Sequence, residues 1–262
     1  MAKNSQELRT ASSRRAALRE QRAGEQQAAQ RKRLVVRISV VAAAVLALVA
    51  GVAVGAIVNN RTAQTASGEV VIGAAAPANA TTDGAVRVGS ADAPVTVSIF
   101  TDFMCPYCKT FDEANAEALS TLLQADRVSV QVYPLTFLDA ASQGTRYSMR
   151  AANAFATVAN ADPNLAWNFY QLLYAHQPAE GTTGLSDTQL IQLAEQAGAS
   201  KEVAAAIGKL AYRAWTDEVT KSWYPERVQG TPTILVNGTR FEGDPYSAGP
   251  LAQAIEKAVA GG

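Results

Sequence analysis

Two cysteines, Cys105 and Cys108, are the only ones in the chain, and they enclose just Pro106 and Tyr107. What flanks them constrains the fold more than any other feature. The stretch Val95-Thr96-Val97-Ser98-Ile99-Phe100 is short, β-branched and apolar at alternate positions, which predicts a strand. From Pro106 to about Leu123, the residues Phe111, Ala114, Ala118, Leu119 and Leu122 recur at helical spacing, and a first helical turn tolerates proline. The pair therefore straddles a strand-to-helix junction with Cys105 at the helix N-terminus. Unpaired backbone N–H groups and the positive dipole end favour an anion there. A thiolate is such an anion, so Cys105 is expected to ionise more readily than a free cysteine and to attack disulfides through an exposed sulfur.

Charge is distributed unevenly along the 262 residues, although the formal total is zero. Residues 1–37 hold ten of the 23 Lys/Arg and three Asp/Glu, so the remainder carries 13 basic against 20 acidic groups, a formal −7. A basic tail ahead of an acidic domain does not fit a nucleic-acid binder. It fits a chain sorted across a membrane. From Ile38 to Val58 there are 21 uncharged residues with Ser39 the one polar exception. As a helix they span roughly 31 Å, about the hydrocarbon thickness of a bilayer. Arg31, Lys32, Arg33 and Arg37 flank the N-terminal side, which places the N-terminus in the cytoplasm and the rest outside. The run is longer than a signal-peptide core, and the nearest small-x-small site, Ala78-Asn79-Ala80, lies far downstream. The expected organisation is a basic cytoplasmic tail (1–37), a transmembrane helix (38–58), an Ala/Thr/Gly-rich linker (59–82) and a folded domain (83–262).

Within that domain Val86-Arg87-Val88 is a short strand, and Arg127 to Tyr133 alternates as a second main strand stopped by Pro134. Strand–helix–strand implies parallel pairing with a right-handed crossover. Between about 142 and 223 the pattern is helical, with helices expected at 142–160, 164–175, 187–197 and 200–223. Val203, Ile207, Leu210 and Ala214 mark one face of the last. Trp167, Trp215 and Trp223 all fall here and read as core aromatics. Val228 to Val236 returns to strand character, Asn237-Gly238 signals a hairpin into Thr239-Arg240-Phe241, and Gly249 to Val259 closes as a helix.

Asp102-Phe103-Met104-Cys105-Pro106-Tyr107-Cys108-Lys109 after a strand, Gly230-Thr231-Pro232-Thr233 before the hairpin, and about 80 helical residues between them together resemble the DsbA-like branch of the thioredoxin superfamily. The resemblance covers roughly residues 85–260 and is nearest to membrane-anchored Gram-positive forms. It implies an α/β thioredoxin-like fold with an inserted all-helical subdomain, preceded by a single transmembrane helix. It also implies a redox-active Cys105–Cys108 disulfide in place of any other cofactor, a cis Pro232 beside the cysteines, and an extended client peptide pairing near Thr231 and Pro232. Unfolded exported proteins with thiols are the implied substrates. A membrane quinone-linked protein, DsbB-like or vitamin K epoxide reductase-like, is the implied reoxidant.

Several residues depart from the family pattern or stay open. Tyr107 stands where the strongly oxidising enterobacterial form has histidine, so Pro106 and Tyr107 tune the thiolate without an imidazolium. Ile99 occupies the place of the buried acid six residues before the first cysteine. Asp102 is a candidate proton relay or a turn-capping residue. A zinc half-site is the bland rival for the cysteines, but His176 is the only histidine and a closed structural site needs four ligands. His176 itself reads as a surface or capping residue. A purely structural disulfide would close a loop too short to restrain the unfolded chain usefully. The functional expectation is an extracytoplasmic dithiol oxidase for exported proteins, with a reductase or isomerase, or a chaperone-like peptide-binding module, as alternatives.

Overall fold

The structure, a computed structural model, describes residues 70–261. The expected basic tail, the membrane span at 38–58 and the first part of the linker lie outside the described residues. Among the described residues no helix is long and apolar enough to cross a membrane.

A five-stranded mixed sheet is built from β1 (Val86–Val88), β2 (Val95–Thr101), β3 (Val128–Pro134), β4 (Thr233–Val236) and β5 (Thr239–Arg240) in the order β1-β3-β2-β4-β5. β2 pairs in parallel with β3, Val95 opposite Val128 through Thr101 opposite Pro134, and antiparallel with β4. As the central strand β2 is covered on both faces, and every residue but Thr96 is buried. The parallel pairing requires a crossover, which α1 (Pro106–Gln124) supplies. Asn237 and Gly238 both adopt positive φ, 49° and 77°, as a two-residue hairpin turn demands. α7 (Pro250–Gly261) closes the chain and packs on α1, β2 and β4.

The helical insertion is present, but its boundaries differ from the sequence expectation. A 3-10 turn at Phe137–Ser142 precedes α2 (Tyr147–Ala161), because Gln143, Gly144 and Arg146 all take left-handed φ. Ser142 Oγ accepts the Tyr147 N–H and Asp139 Oδ1 accepts the Met149 N–H, so side chains satisfy the helix start that an unbroken helix would have paired internally. α3 (Pro163–Ala175) is capped by Asp162, and α4 (Asp187–Gln196) by a Ser186/Gln189 capping box.

The last expected helix, 200–223, is in fact two. α5 (Lys201–Ala206) runs into a 3-10 turn at Ile207–Lys209, Leu210 turns left-handed at φ 51°, and α6 (Arg213–Trp223) restarts the chain. The broken ends are met by Asn153 on α2, which is fully buried. Its Nδ2 donates to the Ile207 carbonyl at 3.0 Å and its Oδ1 accepts the Tyr212 N–H at 3.0 Å. Tertiary hydrogen bonding thus overrides the helical periodicity, and Ala214, expected on the apolar face, is exposed. Trp167 and Trp215 are buried and Trp223 is half-buried, as core residues.

The end of the expected linker is docked onto the domain. Glu218 on α6 accepts the N–H groups of Gly73 and Ala74, both at 2.8 Å, and Trp223 Nε1 donates to the Asp83 carbonyl. These contacts extend the ordered unit back from Asp83 to about Ile72.

Because Asn153 carries both ends of the α5–α6 break, Asn153→Ala leaves a buried carbonyl and a buried N–H unpaired. It is expected to destabilise the domain by about 2–4 kcal/mol in urea unfolding followed by tryptophan fluorescence.

Candidate active site

The site begins where β2 ends. Asp102 is fully buried and holds the turn between β2 and α1: its Oδ1 accepts the Met104 N–H at 2.9 Å and the Ser148 hydroxyl at 2.6 Å, and its Oδ2 accepts the Leu138 N–H at 3.0 Å. The Asp102 carbonyl accepts the Cys105 N–H. One carboxylate therefore ties the cysteine turn to both the 3-10 turn and α2. Burial pushes its pKa up to about 7 against the opposing pull of its hydrogen bonds from Ser148, Met104 and Leu138.

Cys105 caps α1 with extended backbone and Pro106 takes the first helical position. The expected exposed sulfur is not found: Cys105 is 4% exposed and Cys108 is fully buried, both as free thiols. The cause is the bend across the sheet end. The Thr231–Pro232 peptide is cis, and the Cys105 thiol reaches the Thr231 carbonyl at 3.4 Å. From α3's C-terminal side, Gln177 Nε2 donates to the carbonyls of Phe103 (3.1 Å) and Cys105 (2.9 Å), covering the turn.

The two thiols are displaced in opposite directions. Cys105 is lowered to about 6, chiefly by the hydrogen bond from Cys108; burial opposes this, while Thr231 and the Cys108 and Tyr107 backbone N–H groups assist. Cys108 is raised well above the ordinary thiol range, first by burial and then by Cys105. The helix N-terminus contributes as expected, but the larger effect is the neighbouring thiol. One sulfur is thus a ready nucleophile and leaving group, and the other holds its proton.

Around the pair the structure adds Tyr246, Thr101 and Tyr174, which the sequence did not single out, and sets Tyr246 beside Tyr107, which it did. Tyr107 (63% exposed) and Tyr246 (41% exposed) stand with ring centroids 6.0 Å apart, and burial raises the Tyr246 hydroxyl with both thiols adding to the shift. The Tyr246 loop is pinned by buried Asn115, whose Nδ2 donates to the Pro245 carbonyl at 2.8 Å. Asp244-Pro245 signals a turn in the sequence, but nothing there locates that turn beside the cysteines. Beneath Cys108 lie Thr101 and Tyr174, hydrogen-bonded through their hydroxyls, with Thr101 also in reach of the Cys108 thiol. His176 is the exposed C-cap of α3 and does not join the site. Among the described residues no group of three or more His, Cys, Asp or Glu side chains is arranged to hold a metal ion.

A β2–α1 dithiol facing a cis-proline bend, with helices inserted between the two motifs, defines the class. Residues 81–257 match the thioredoxin family model. The oxidised DsbA of Mycobacterium tuberculosis superposes with a TM-score of 0.58 at 30% identity, over 67% of this chain and 92% of that one. Disulfide bond formation protein D of Bacillus subtilis is 28% identical over 152 residues, 57% of this chain and 66% of that protein. Serine/threonine-protein kinase PknE of M. tuberculosis is 36% identical over 118 residues, 44% of this chain; the chain spans only 21% of the kinase. The chain belongs to the thioredoxin family, in its DsbA-like thiol–disulfide oxidoreductase branch.

The opposed thiols give a pH signature. Iodoacetamide labelling of the reduced chain is expected to rise with a midpoint near pH 6 at Cys105 and to leave Cys108 unlabelled at neutral pH. With the folded value below the unfolded one of about 8.5, the Cys105 thiolate stabilises the reduced fold fully above that value. The contribution fades as pH falls through about 6. Asp102 and Asp112, both raised to about 7, act in the opposite sense, so the expected signature is the difference in reduced-form unfolding midpoint between wild type and Cys105→Ala, which should shrink as pH falls through that window.

Proposed function

We propose that the chain is a membrane-tethered extracytoplasmic dithiol oxidase that donates the Cys105–Cys108 disulfide to exported proteins. The observation that carries this reading is the Cys105–Cys108 pair at the N-terminus of α1 with the Cys105 thiol 3.4 Å from the Thr231 carbonyl, a geometry in which the two thiols are pushed to opposite ionisation. A client thiolate attacks Cys105 Sγ; the Cys105–Cys108 bond breaks and Cys108 leaves with the electron pair and gains a proton. A second client thiolate then attacks the client sulfur of the mixed disulfide and expels Cys105 as a stabilised thiolate. Two electrons pass from client to enzyme. The low pKa of Cys105 speeds that expulsion and stabilises the reduced enzyme, which makes its disulfide more oxidising.

Thr231 and Pro232 present the backbone against which an extended client lies, in the manner of strand addition. Pro106, Tyr107 and Asp102 tune the pair, Asp102 by fixing the turn. The 38–58 span holds the domain outside the membrane, and a quinone-linked membrane protein of the DsbB or vitamin K epoxide reductase type reoxidises the dithiol.

Equilibration of the full-length chain with glutathione redox buffer tests the direction. An oxidase should settle between about −180 and −120 mV, whereas a value near −270 mV would mark a reductase. Cys105→Ser should abolish oxidation of a reduced client, and Cys108→Ser should trap the Cys105–client disulfide, visible on a non-reducing gel. A wild-type chain that binds the reduced client without oxidising it, with binding unchanged in Cys105→Ser, would leave only passive peptide binding.

A further inference from the structure

The turn 102–105 places the reactive sulfur, and its backbone carbonyls are held from one direction. Two residues at the end of α3 supply the donors. The Tyr174 hydroxyl reaches the Asp102 carbonyl at 3.4 Å. Three residues on, Gln177 Nε2 donates to the Phe103 carbonyl at 3.1 Å and to the Cys105 carbonyl at 2.9 Å. Both hydrogens of the amide nitrogen are thereby used on the turn. The Gln177 backbone is fixed as well: its N–H donates to the Tyr174 carbonyl at 3.1 Å, and Pro178 stops further helix. Half-buried and held at three points, this residue gives up rotamer freedom that a solvent-facing glutamine would keep.

The amide governs the direction of the Cys105 peptide. Cys105 is the N-cap of α1, extended at φ −74° and ψ 118°, and its carbonyl also accepts the Cys108 and Lys109 N–H groups at 3.1 and 3.3 Å. Pro106 has no N–H, so the first helical donors that can face the sulfur are those of Tyr107 and Cys108, and both serve it. On the other side stands the Thr231 carbonyl, 3.4 Å from the same sulfur, an acceptor that suits a thiol and opposes a thiolate. Rotation of the Cys105 peptide would take the sulfur away from its donors. Gln177 also supplies the one hydrogen bond to the Phe103 carbonyl among the described residues. We propose that Gln177 is a positioning residue for the thiol–disulfide reaction: by clamping the Phe103 and Cys105 carbonyls it holds the Cys105 sulfur against the α1 N–H donors, where it attacks and departs.

This rests on the redox reading of the cysteine pair and adds a determinant of its strength. A thiolate held by donors is a better leaving group and a more stable reduced product, so whatever keeps donors on Cys105 makes the disulfide more oxidising. With Tyr107 between the cysteines in place of an ionisable imidazole, the helical insertion gives this support through a neutral amide. An amide does not titrate, so the clamp holds across the range in which Cys105 ionises. The titratable groups within electrostatic reach of Cys105 are Cys108 on α1, Asp102 in the turn and Tyr246 on the loop before α7. Nothing local in the sequence marks Gln177 for this, since it lies 72 residues from Cys105.

Gln177→Met keeps the length and bulk of the side chain and removes both donors, whereas Gln177→Ala removes the packing too. Reduced full-length chains are labelled with iodoacetamide across pH. Each chain is also equilibrated with glutathione, two thiols of which reduce the Cys105–Cys108 disulfide and leave as one glutathione disulfide. Gln177→Met should raise the Cys105 labelling midpoint from about 6 by about one pH unit, the effect of one hydrogen bond of ordinary strength. At neutral pH that shift should favour the disulfide form about fivefold, a potential about 20 mV more negative. Gln177→Ala should move both readings as far, and the reduced form of each variant should lose more stability than the oxidised form. Wild-type readings in Gln177→Met, with a shift confined to Gln177→Ala, overturn the proposal in favour of packing alone. Equal destabilisation of both redox forms with the glutathione equilibrium unmoved overturns it too. A wild-type chain whose Cys105 labels as an ordinary thiol and whose disulfide does not equilibrate with glutathione would instead overturn the redox reading.

Discussion

Two neighbouring thiols, pushed to opposite ionisation by each other and by burial, set the chemistry of this molecule. Hydrogen bonding from Cys108 is the largest influence lowering Cys105, and Cys105 in turn raises Cys108. Burial works against any thiolate, so Cys105 ionises readily only because donors converge on it from Cys108 and from the first N–H groups of α1. Low dielectric strengthens each of those hydrogen bonds while penalising any sulfur left without them. The same enclosure that holds Cys108 protonated therefore makes Cys105 selectively reactive.

That enclosure is made largely by the helical insertion. Ser148 on α2 and the Leu138 N–H grip Asp102, Tyr174 on α3 floors Thr101, and Gln177 spans the Phe103 and Cys105 carbonyls. The insertion is thus more than a lid over the sheet. Its polar groups fix the backbone on which the thiols sit, and its aromatics exclude water from beneath them. Phe103 packs against Phe155, Tyr170 and Tyr174, so the turn two residues before Cys105 is anchored in the same aromatic cluster.

Much of the sheet was legible in the sequence because its signals are local. Alternation in Val95–Phe100 and Arg127–Tyr133, the Asn237-Gly238 turn and Pro106 after Cys105 each act through their own backbone, and β1, β2, β3, β5 and α1 lie within a residue or two of expectation, whereas β4 begins only at Thr233, five residues after Val228. Errors arose where a distant side chain decides. Helical periodicity continues through Leu210, but Asn153 pairs the ends of a break there. Ala/Thr/Gly composition suggested a linker through residue 82, but Glu218 and Trp223 draw its end onto the domain. Tyr246 reaches the cysteines only because Asn115 holds its loop.

Asp102 and Asp112 show why a displaced ionisation does not by itself identify a chemical role. Burial brings both to about 7. Moving a proton on or off Asp102 would rearrange three hydrogen bonds that hold the turn, so each such event would disturb the geometry of Cys105. The Asp112 shift comes instead from burial and the adjacent Glu113, with no such hydrogen bonds among its causes. A group that must exchange protons in every cycle is better placed where the fold does not depend on its charge. By that criterion Asp102 belongs to the architecture of the turn.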